Sequence, residues 1–476
     1  MTDRLTAHAL IDLVLDADSY VSWDEPIDVS THPEDYRAAL AKAAERAGTD
    51  ESVITGRGTV KGRPVAFVLG EFGFLAGSIG AAAAQRIVAA VRRATAERLP
   101  ILASTASGGT RMQEGTPAFV HMVDISRALM DHREAALPYL VHLRHPTTGG
   151  VFASWGSLGH ITVAEPGALV GFLGPKVYEL LNGRPFPAGV QTSENLEHHG
   201  IIDAVVLHEE LPTIVDRALG LLLDPVSEST RERRTDPVHR RVDTWTAIER
   251  TRAAGRAGVR DVLRLGSDAT VRLQGTDEGE RDTAMIVAFA RIDGVPCVVV
   301  GQDRSKQTPD NPMGPAALRE ARRGMRLAAE LGLPLVSVID TPGAELSPAA
   351  EEGSVAGEIA RCIAGMSTLR VPSISVLLGQ GCGGGALALL PADVVIATEH
   401  AWLSPLPPEG ASAIVHGDVD HAPQMAEQQR VSAIDLHEAG TVHHLIAEPD
   451  DDTPSDLATA VAAEIGHQLR RLLADT

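Results

Sequence analysis

Gly294-Val-Pro-Cys-Val-Val-Val-Gly301 repeats the pattern of Gly62-Arg-Pro-Val-Ala-Phe-Val-Leu69 at an offset of 232 residues. Working outward, Leu99-Pro-Ile-Leu102 returns as Leu333-Pro-Leu-Val336, and Leu137-Pro-Tyr-Leu-Val141 as Val371-Pro-Ser-Ile-Ser375, both at an offset of 234. Thr148-Gly-Gly-Val151 lies against Gly383-Gly-Gly-Ala386 at 235. Four pairings in one order at nearly one offset mark a tandem duplication. In each half an apolar strand precedes a helix rich in Ala and Arg (81–97; 316–331). A strand from Pro100 or Pro334 then runs into a glycine turn (Ser107-Gly108-Gly109; Thr341-Pro342-Gly343), and a further strand from Pro138 or Pro372 into another (Gly149-Gly150; Gly383-Gly384-Gly385). Strands alternating with helical patterns imply parallel βαβ units, whose ligands gather at the carboxyl ends of the strands, where these glycines fall.

The expected boundary is the stretch Asp224 to Asp243, with Pro225, Pro237 and the charged run Arg231-Glu232-Arg233-Arg234, giving domains at 1–230 and 240–476. Composition narrows the function. The 476 residues are 44% hydrophobic and carry 42 basic against 63 acidic side chains, a net charge of −21, which argues against a nucleic-acid partner. Cys297, Cys362 and Cys382 lack the paired spacing of a zinc ribbon or a disulfide framework, so a reducing, cytoplasmic compartment fits. The opening residues carry acids where a signal peptide needs an apolar centre. Ser373 to Ala397, broken by Gln380, Pro391 and Asp393, reads as a buried strand, turn and helix start, not a membrane span.

Glycine after a strand lets the backbone reach positive φ and brings bare N–H groups close to a ligand. Two such groups aimed at one point make an oxyanion hole. No side-chain catalyst competes with this reading. A Gly-x-Ser-x-Gly elbow, a P-loop and a dinucleotide fingerprint are all missing from the sequence. His142 with His145, His198-His199 and His443-His444 read as structural or solvated, Glu351-Glu352 as helix-capping, and Cys382 as a small core residue. The pattern points to backbone-driven oxyanion chemistry.

Ala106-Ser-Gly-Gly-Thr-Arg-Met-Gln-Glu-Gly115 resembles the hallmark of the β subunit of bacterial acetyl-CoA carboxylase carboxyltransferase. Glu71-Phe-Gly-Phe-Leu-Ala-Gly-Ser78, Pro146-Thr-Thr-Gly-Gly150, Ala164-Glu-Pro166, Gly171-Phe-Leu-Gly-Pro175 and Gln191-Thr-Ser-Glu194 follow in that subunit's order. The second half resembles the α subunit, through Ile339-Asp-Thr-Pro-Gly-Ala344, Ala350-Glu-Glu352, Gly381-Cys-Gly-Gly-Gly-Ala-Leu387, Ser404-Pro405 and Pro408-Glu-Gly410. The resemblance spans about residues 5 to 448. It implies an α/β protein, a tandem duplication of two crotonase-like (ClpP/crotonase, ββα superhelix) domains, with acyl-CoA on the first and carboxybiotin on the second.

By the same resemblance, Gly149 and Gly150, with Gly108 and Gly109, would stabilise a thioester enolate, and Gly384, Gly385 and Ala386 a biotin ureido oxygen. Gly343, Gly383 and Leu387 would line the biotin side. Ser107, Thr110, Arg111 and Gly171 would line the acyl-CoA side, and Arg57, Arg63 and Arg86 are candidates to receive CoA phosphates. Carboxybiotin on a separate carrier protein is the expected co-substrate, because the chain has no Ala-Met-Lys-Met segment and no ATP-binding glycine-rich region. A biotin carboxylase and a biotin carboxyl carrier protein are the expected partners. A homo-oligomer, dimer or hexamer, is expected, with its active site at the interface and no nucleic acid or membrane involved.

The expected reaction is carboxylation of an acyl-CoA (acetyl-CoA to malonyl-CoA or a close analogue) in the first steps of fatty-acid synthesis. A decarboxylase of the same superfamily and an inactive scaffold are the alternatives. Three departures from the resemblance stand out: no four-cysteine zinc ribbon and hence no zinc, Thr110 in place of Ala, and a short Glu345-Leu-Ser-Pro348 stretch. Gly150→Val and Gly385→Val are both expected to abolish turnover with little loss of folding.

Overall fold

The computed structural model describes residues 4–234 and 242–475; Pro237 of the expected boundary lies outside them. The chain divides into two compact units, 1–220 and 221–476. The division precedes the expected Asp224–Asp243 stretch, because the described residues that open that stretch are bonded into the second unit. The Ser227 N–H donates to the Gly294 carbonyl, Arg233 pairs with Glu464 at 2.8 Å, and Arg234 grips Asp452.

The first unit holds one sheet of eight strands: β1 (Val21–Ser22), β2 (Val53–Val60), β3 (Arg63–Gly70), β4 (Ile101–Ser107), β5 (Tyr139–Thr148), β6 (Ile161–Ala164), β7 (Val170–Gly171) and β8 (Ala204–Val205). Their order is β1-β2-β3-β4-β5-β6-β8, with β7 on the end of β5. The second unit repeats it with β9 (Ser267–Leu273), β10 (Met285–Ile292), β11 (Val295–Gln302), β12 (Leu335–Thr341), β13 (Ser373–Cys382), β14 (Val394–Thr398), β15 (Trp402–Ser404) and β16 (His444–Ile446). There the order is β16-β14-β13-β12-β11-β10-β9, and β15 pairs with β13.

From β3 and from β11 onward the pairing is parallel, as the alternating pattern requires. Each parallel run is entered, however, by an antiparallel hairpin, β2–β3 or β10–β11, so the sheets are mixed rather than purely parallel. The hairpins turn at Lys61-Gly62 and Asp293-Gly294, four residues at φ of +47°, +81°, +46° and +81°. Positive φ at both central positions is the geometry of the tight turn that matches strand twist, and Asp-Gly is its strongest local signal.

Strands β4 and β12 are buried along their whole length, which is why they read as unbroken apolar runs. The Ala81–Ala96 helix of the first unit buries Ala83, Ala84, Ile87, Val91 and Ala94 in one core with Ile101, Ala103, Val141 and Ile125. The Pro315–Leu331 helix buries the same kind of face in the second unit. Both β4 and β5, and both β12 and β13, therefore deliver their last residues to one edge of a rigid sheet.

Candidate active site

In the first unit β4 ends at Ser107, whose hydroxyl donates to the Gly77 carbonyl at 2.5 Å and accepts the Gly109 N–H at 3.0 Å. Gly109 sits at φ +109° and Gly149 at +66°. The two turns touch: a Cβ on Gly149 would lie 3.2 Å from the Gly109 Cα. The positive φ at both places, together with this close approach, is what calls for glycine. The Gly108 N–H donates to the Ala76 carbonyl and the Gly149 N–H to the Phe172 carbonyl, each at 2.9 Å.

These bonds correct part of the expectation. The amides of Gly108, Gly109 and Gly149 are engaged inside the protein, so in this structure these three glycines shape the turns and present no free donor. Gly149 opens a single helical turn, closed by the Ala153 N–H on the Gly149 carbonyl at 3.1 Å. The half-buried Gly150 lies in that turn, and among the described residues its N–H has no acceptor. It is the donor this site offers.

The second unit repeats the construction 234 residues later. Gly343, at φ +132°, donates its N–H to the Thr341 hydroxyl at 3.1 Å, as Gly109 does to Ser107. Gly383, at φ +65°, opens the Gly383–Leu387 helix, as Gly149 opens its turn. The first amides of a helix have no intrahelical acceptor, which leaves Gly384 and Gly385 as donors. Ala386, the other expected donor, is buried in the same short helix. Cys382 is buried and its thiol is pushed up to about 11 by desolvation, which keeps it protonated. Leu387 is exposed at the surface beyond it.

What pins each pair of turns differs, and the sequence did not reveal it. In the first unit Arg111, only 1% exposed, bonds both oxygens of the buried Glu51, the Ser78 carbonyl and Glu114. It is a structural tie within the motif. Thr110 turns its hydroxyl toward Gly150 (3.1 Å from a Cβ placed there), and the Gly171 carbonyl accepts the Gly149 N–H at 3.3 Å. In the second unit the tie is Asp340, which is fully buried. Its Oδ1 accepts the Gln380 N–H at 3.0 Å and its own N–H donates to Gln302 Oε1 at 3.1 Å. Gln302 donates on to the Gly385 carbonyl at 2.8 Å, and Gln307 bridges Asp340 and Thr341. Burial pushes the Asp340 carboxyl up to about 6, against the pull of Arg304.

The expected CoA-receiving arginines separate. Arg86 is buried in the first core, with Asp50 at 2.9 Å and the carbonyls of Val53 and Glu25 on its remaining donors, so it has no freedom to meet a phosphate. Arg63 is held by Asp216 at 2.7 Å. Arg57 is half exposed and only 3.4 Å from Glu97, so it alone of the three can reach out. His142 is buried against the Ser104 hydroxyl, and desolvation keeps it neutral. No helix among the described residues is long and apolar enough to cross a membrane.

Residues 2–459 match the carboxyl transferase domain family. The chain is 56% identical to a probable biotin-dependent acyl-coenzyme A carboxylase beta3 subunit of Mycobacterium tuberculosis, across 98% of this chain and 95% of that one. It is 36% identical to the acetyl-coenzyme A carboxylase carboxyl transferase subunits beta/alpha of Saccharopolyspora erythraea, across 97% and 85%. Among solved structures, the transcarboxylase 12S hexamer core superimposes with a TM-score of 0.76 at 22% identity, covering 97% of this chain and 90% of that one.

Proposed function

The chain belongs to the carboxyl transferase family, and from that premise we propose that its two turn pairs serve the two reactants of a biotin-dependent acyl-CoA carboxylase. It is a carboxyltransferase of that class, built of two crotonase-like domains. The observation that carries the proposal is the matched geometry of Gly109/Gly149 and Gly343/Gly383, followed by an amide with no acceptor at Gly150 in one unit and by the first-turn amides of a helix at Gly384 and Gly385 in the other. In this reading the Gly150 N–H holds the oxygen of an acyl-CoA thioester as it becomes an enolate. The Gly384 and Gly385 amides hold the ureido oxygen of biotin carried by a separate protein.

Carboxybiotin, when presented by its carrier, would supply the carboxyl group and, once its N–carboxyl bond has broken, the base for the α-proton. The chain's part is to orient, to exclude water and to stabilise two oxyanions, each fixed donor being worth about 3–4 kcal/mol in the transition state. That division of labour suits each unit taken by itself: in the first the Ser107 hydroxyl is already engaged, and in the second the Thr341 hydroxyl is engaged and the Cys382 thiol is held neutral. A biotin carboxylase and a biotin carboxyl carrier protein are the partners this reading requires, in the cytoplasm.

A homo-oligomer is part of the same proposal. The first unit exposes Phe119, Val120 and Val123 on the Gly115–Glu134 helix, with Leu180 and Leu181 nearby in sequence to Phe172; the second exposes Leu346, Ile414 and Val415. A cluster of exposed apolar side chains on one helix face, such as Phe119, Val120 and Val123, suits a contact with a second copy.

The test is decarboxylation of malonyl-CoA beside methylmalonyl-CoA, with and without free biotin. Turnover only with biotin is expected. Turnover without biotin would replace the carboxyltransferase by a decarboxylase, and a strictly monomeric active enzyme in light scattering would overturn the oligomer.

A further inference from the structure

A cavity of about 470 Å³ opens beside the Gly149–Gly150 turn of the first unit, lined by Ser126, Met130, Phe152, Ala153, Leu158 and Phe172, with Ser154 and Ser157. It neighbours the donor turn along the chain. Phe152 and Ala153 lie two and three residues past Gly150, the Ala153 N–H closes the turn on the Gly149 carbonyl, and the Ser154 hydroxyl donates to the Gly150 carbonyl at 2.5 Å. Phe172, whose carbonyl receives the Gly149 N–H, leaves 69% of its surface exposed, and Met130 leaves 39%.

No charged side chain lines this cavity, in a chain of which 22% is charged. Its walls therefore offer nothing to a phosphate or a carboxylate and much to a hydrocarbon. Size sharpens the point. An apolar cavity of about 150 Å³ accommodates a benzene ring, so this one far exceeds what a methyl or ethyl group fills.

We infer that this cavity receives the carbon chain of the acyl group, and that the enzyme prefers acyl-CoAs extended well beyond acetyl and propionyl. The inference rests on the reading that the Gly150 N–H holds the thioester oxygen. From that point a chain borne on C2 passes over Phe152 toward Phe172 and Met130. Ala153 and Ser126, small residues of the lining that come from the donor turn's chain and from the Gly115–Glu134 helix, are where added bulk would shorten the usable length.

The reverse reaction tests it with free biotin as acceptor and methyl-, butyl- and decylmalonyl-CoA as donors. In that reaction the C2–carboxylate bond breaks, a bond from the carboxylate carbon to the biotin ureido nitrogen forms, and the displaced nitrogen proton goes to C2. Over the first added methylenes kcat/KM is expected to rise roughly fourfold for each one buried. Ala153→Trp, and independently Ser126→Phe from the facing helix, should lower the butyl-to-methyl ratio of kcat/KM at least tenfold, with thermal melting used to confirm folding. A wild-type preference for malonyl- or methylmalonyl-CoA that declines with length would overturn the inference and leave the carboxyltransferase reading standing. An unchanged ratio in both folded variants would overturn it as well. Absence of turnover with every donor, wild type included, would strike the carboxyltransferase reading itself.

Discussion

The two units reach one backbone geometry by opposite means. Gly109 and Gly343, and Gly149 and Gly383, match in position and in φ. In the first unit the turns are tied by a buried ion pair, Arg111 with Glu51, in which charge meets charge. In the second they are tied by Asp340, a buried carboxyl surrounded mainly by amides, with Arg304 no nearer than 3.5 Å. A duplicated site thus preserves where the amides point, while the residues that hold them there have diverged completely. It follows that the two halves should fail differently when perturbed.

Arg111→Met is expected to have the largest effect. It strands the Glu51 carboxylate in a site only 2% exposed, and loss of one partner of a buried pair costs about 3–5 kcal/mol. Thermal melting should show the first unit losing its transition before the second. Loss of both together would break the idea that each half carries its own tie.

Gly150→Val and Gly385→Val come next, and they part company where the sequence alone predicted the same outcome. A Cβ on Gly150 meets the Thr110 hydroxyl at 3.1 Å and the flexible Met122 side chain at an ordinary 3.6 Å, so the protein should fold while turnover falls about 100- to 1,000-fold. A Cβ on Gly385 would come within 2.6 Å of the Met313 methyl and 3.3 Å of the Ala344 nitrogen. Overpacking there should cost about 1–3 kcal/mol of stability in addition to activity. Equal melting temperatures for the two variants would contradict this difference.

The duplication and the four turns were legible because apolar runs and glycines sit at a constant spacing, a property of neighbours in sequence. The ties were not. Asp340 and Gln302 stand 38 residues apart and meet only because β11 and β12 pair. Arg86 read as a surface arginine because its partners, Asp24 and Asp50, come from segments preceding β2 that carry no recognisable pattern. The hairpins that open each sheet lay in between: Asp293-Gly294 announces its turn, whereas Lys61-Gly62 does so only weakly. Which amides remain free depended on acceptors such as Ala76 and Phe172, whose approach no spacing encodes.

The pH dependence of the two halves should differ as well. The Asp340 carboxyl, at about 6 in the folded protein, lies above its ordinary value of 3.8. A raised value means that the fold favours the neutral acid, so its contribution to stability is complete below about pH 4 and disappears as pH rises through 6. The shift corresponds to about 3 kcal/mol. Asp340→Asn, which keeps the acceptor for Gln380, should flatten this slope, as read from hydrogen exchange of the β12 and β13 amides at pH 4 and pH 7. An unchanged slope in the variant would assign the pH response to another group.

Arg57→Ala should have the smallest effect on stability, within about 0.5 kcal/mol, because a half-exposed pair at 3.4 Å contributes little. That is what makes it informative beside Arg86→Ala, which removes the partner of Asp50 and Asp24 from a buried site and should destabilise the first unit severely. If Arg57 receives a CoA phosphate, its alanine variant will raise KM for acyl-CoA several-fold, will leave the melting temperature alone, and will lose the salt dependence of KM. If KM is unchanged, none of the three arginines singled out in the sequence meets CoA, and the polyanion must be bound by residues outside this set.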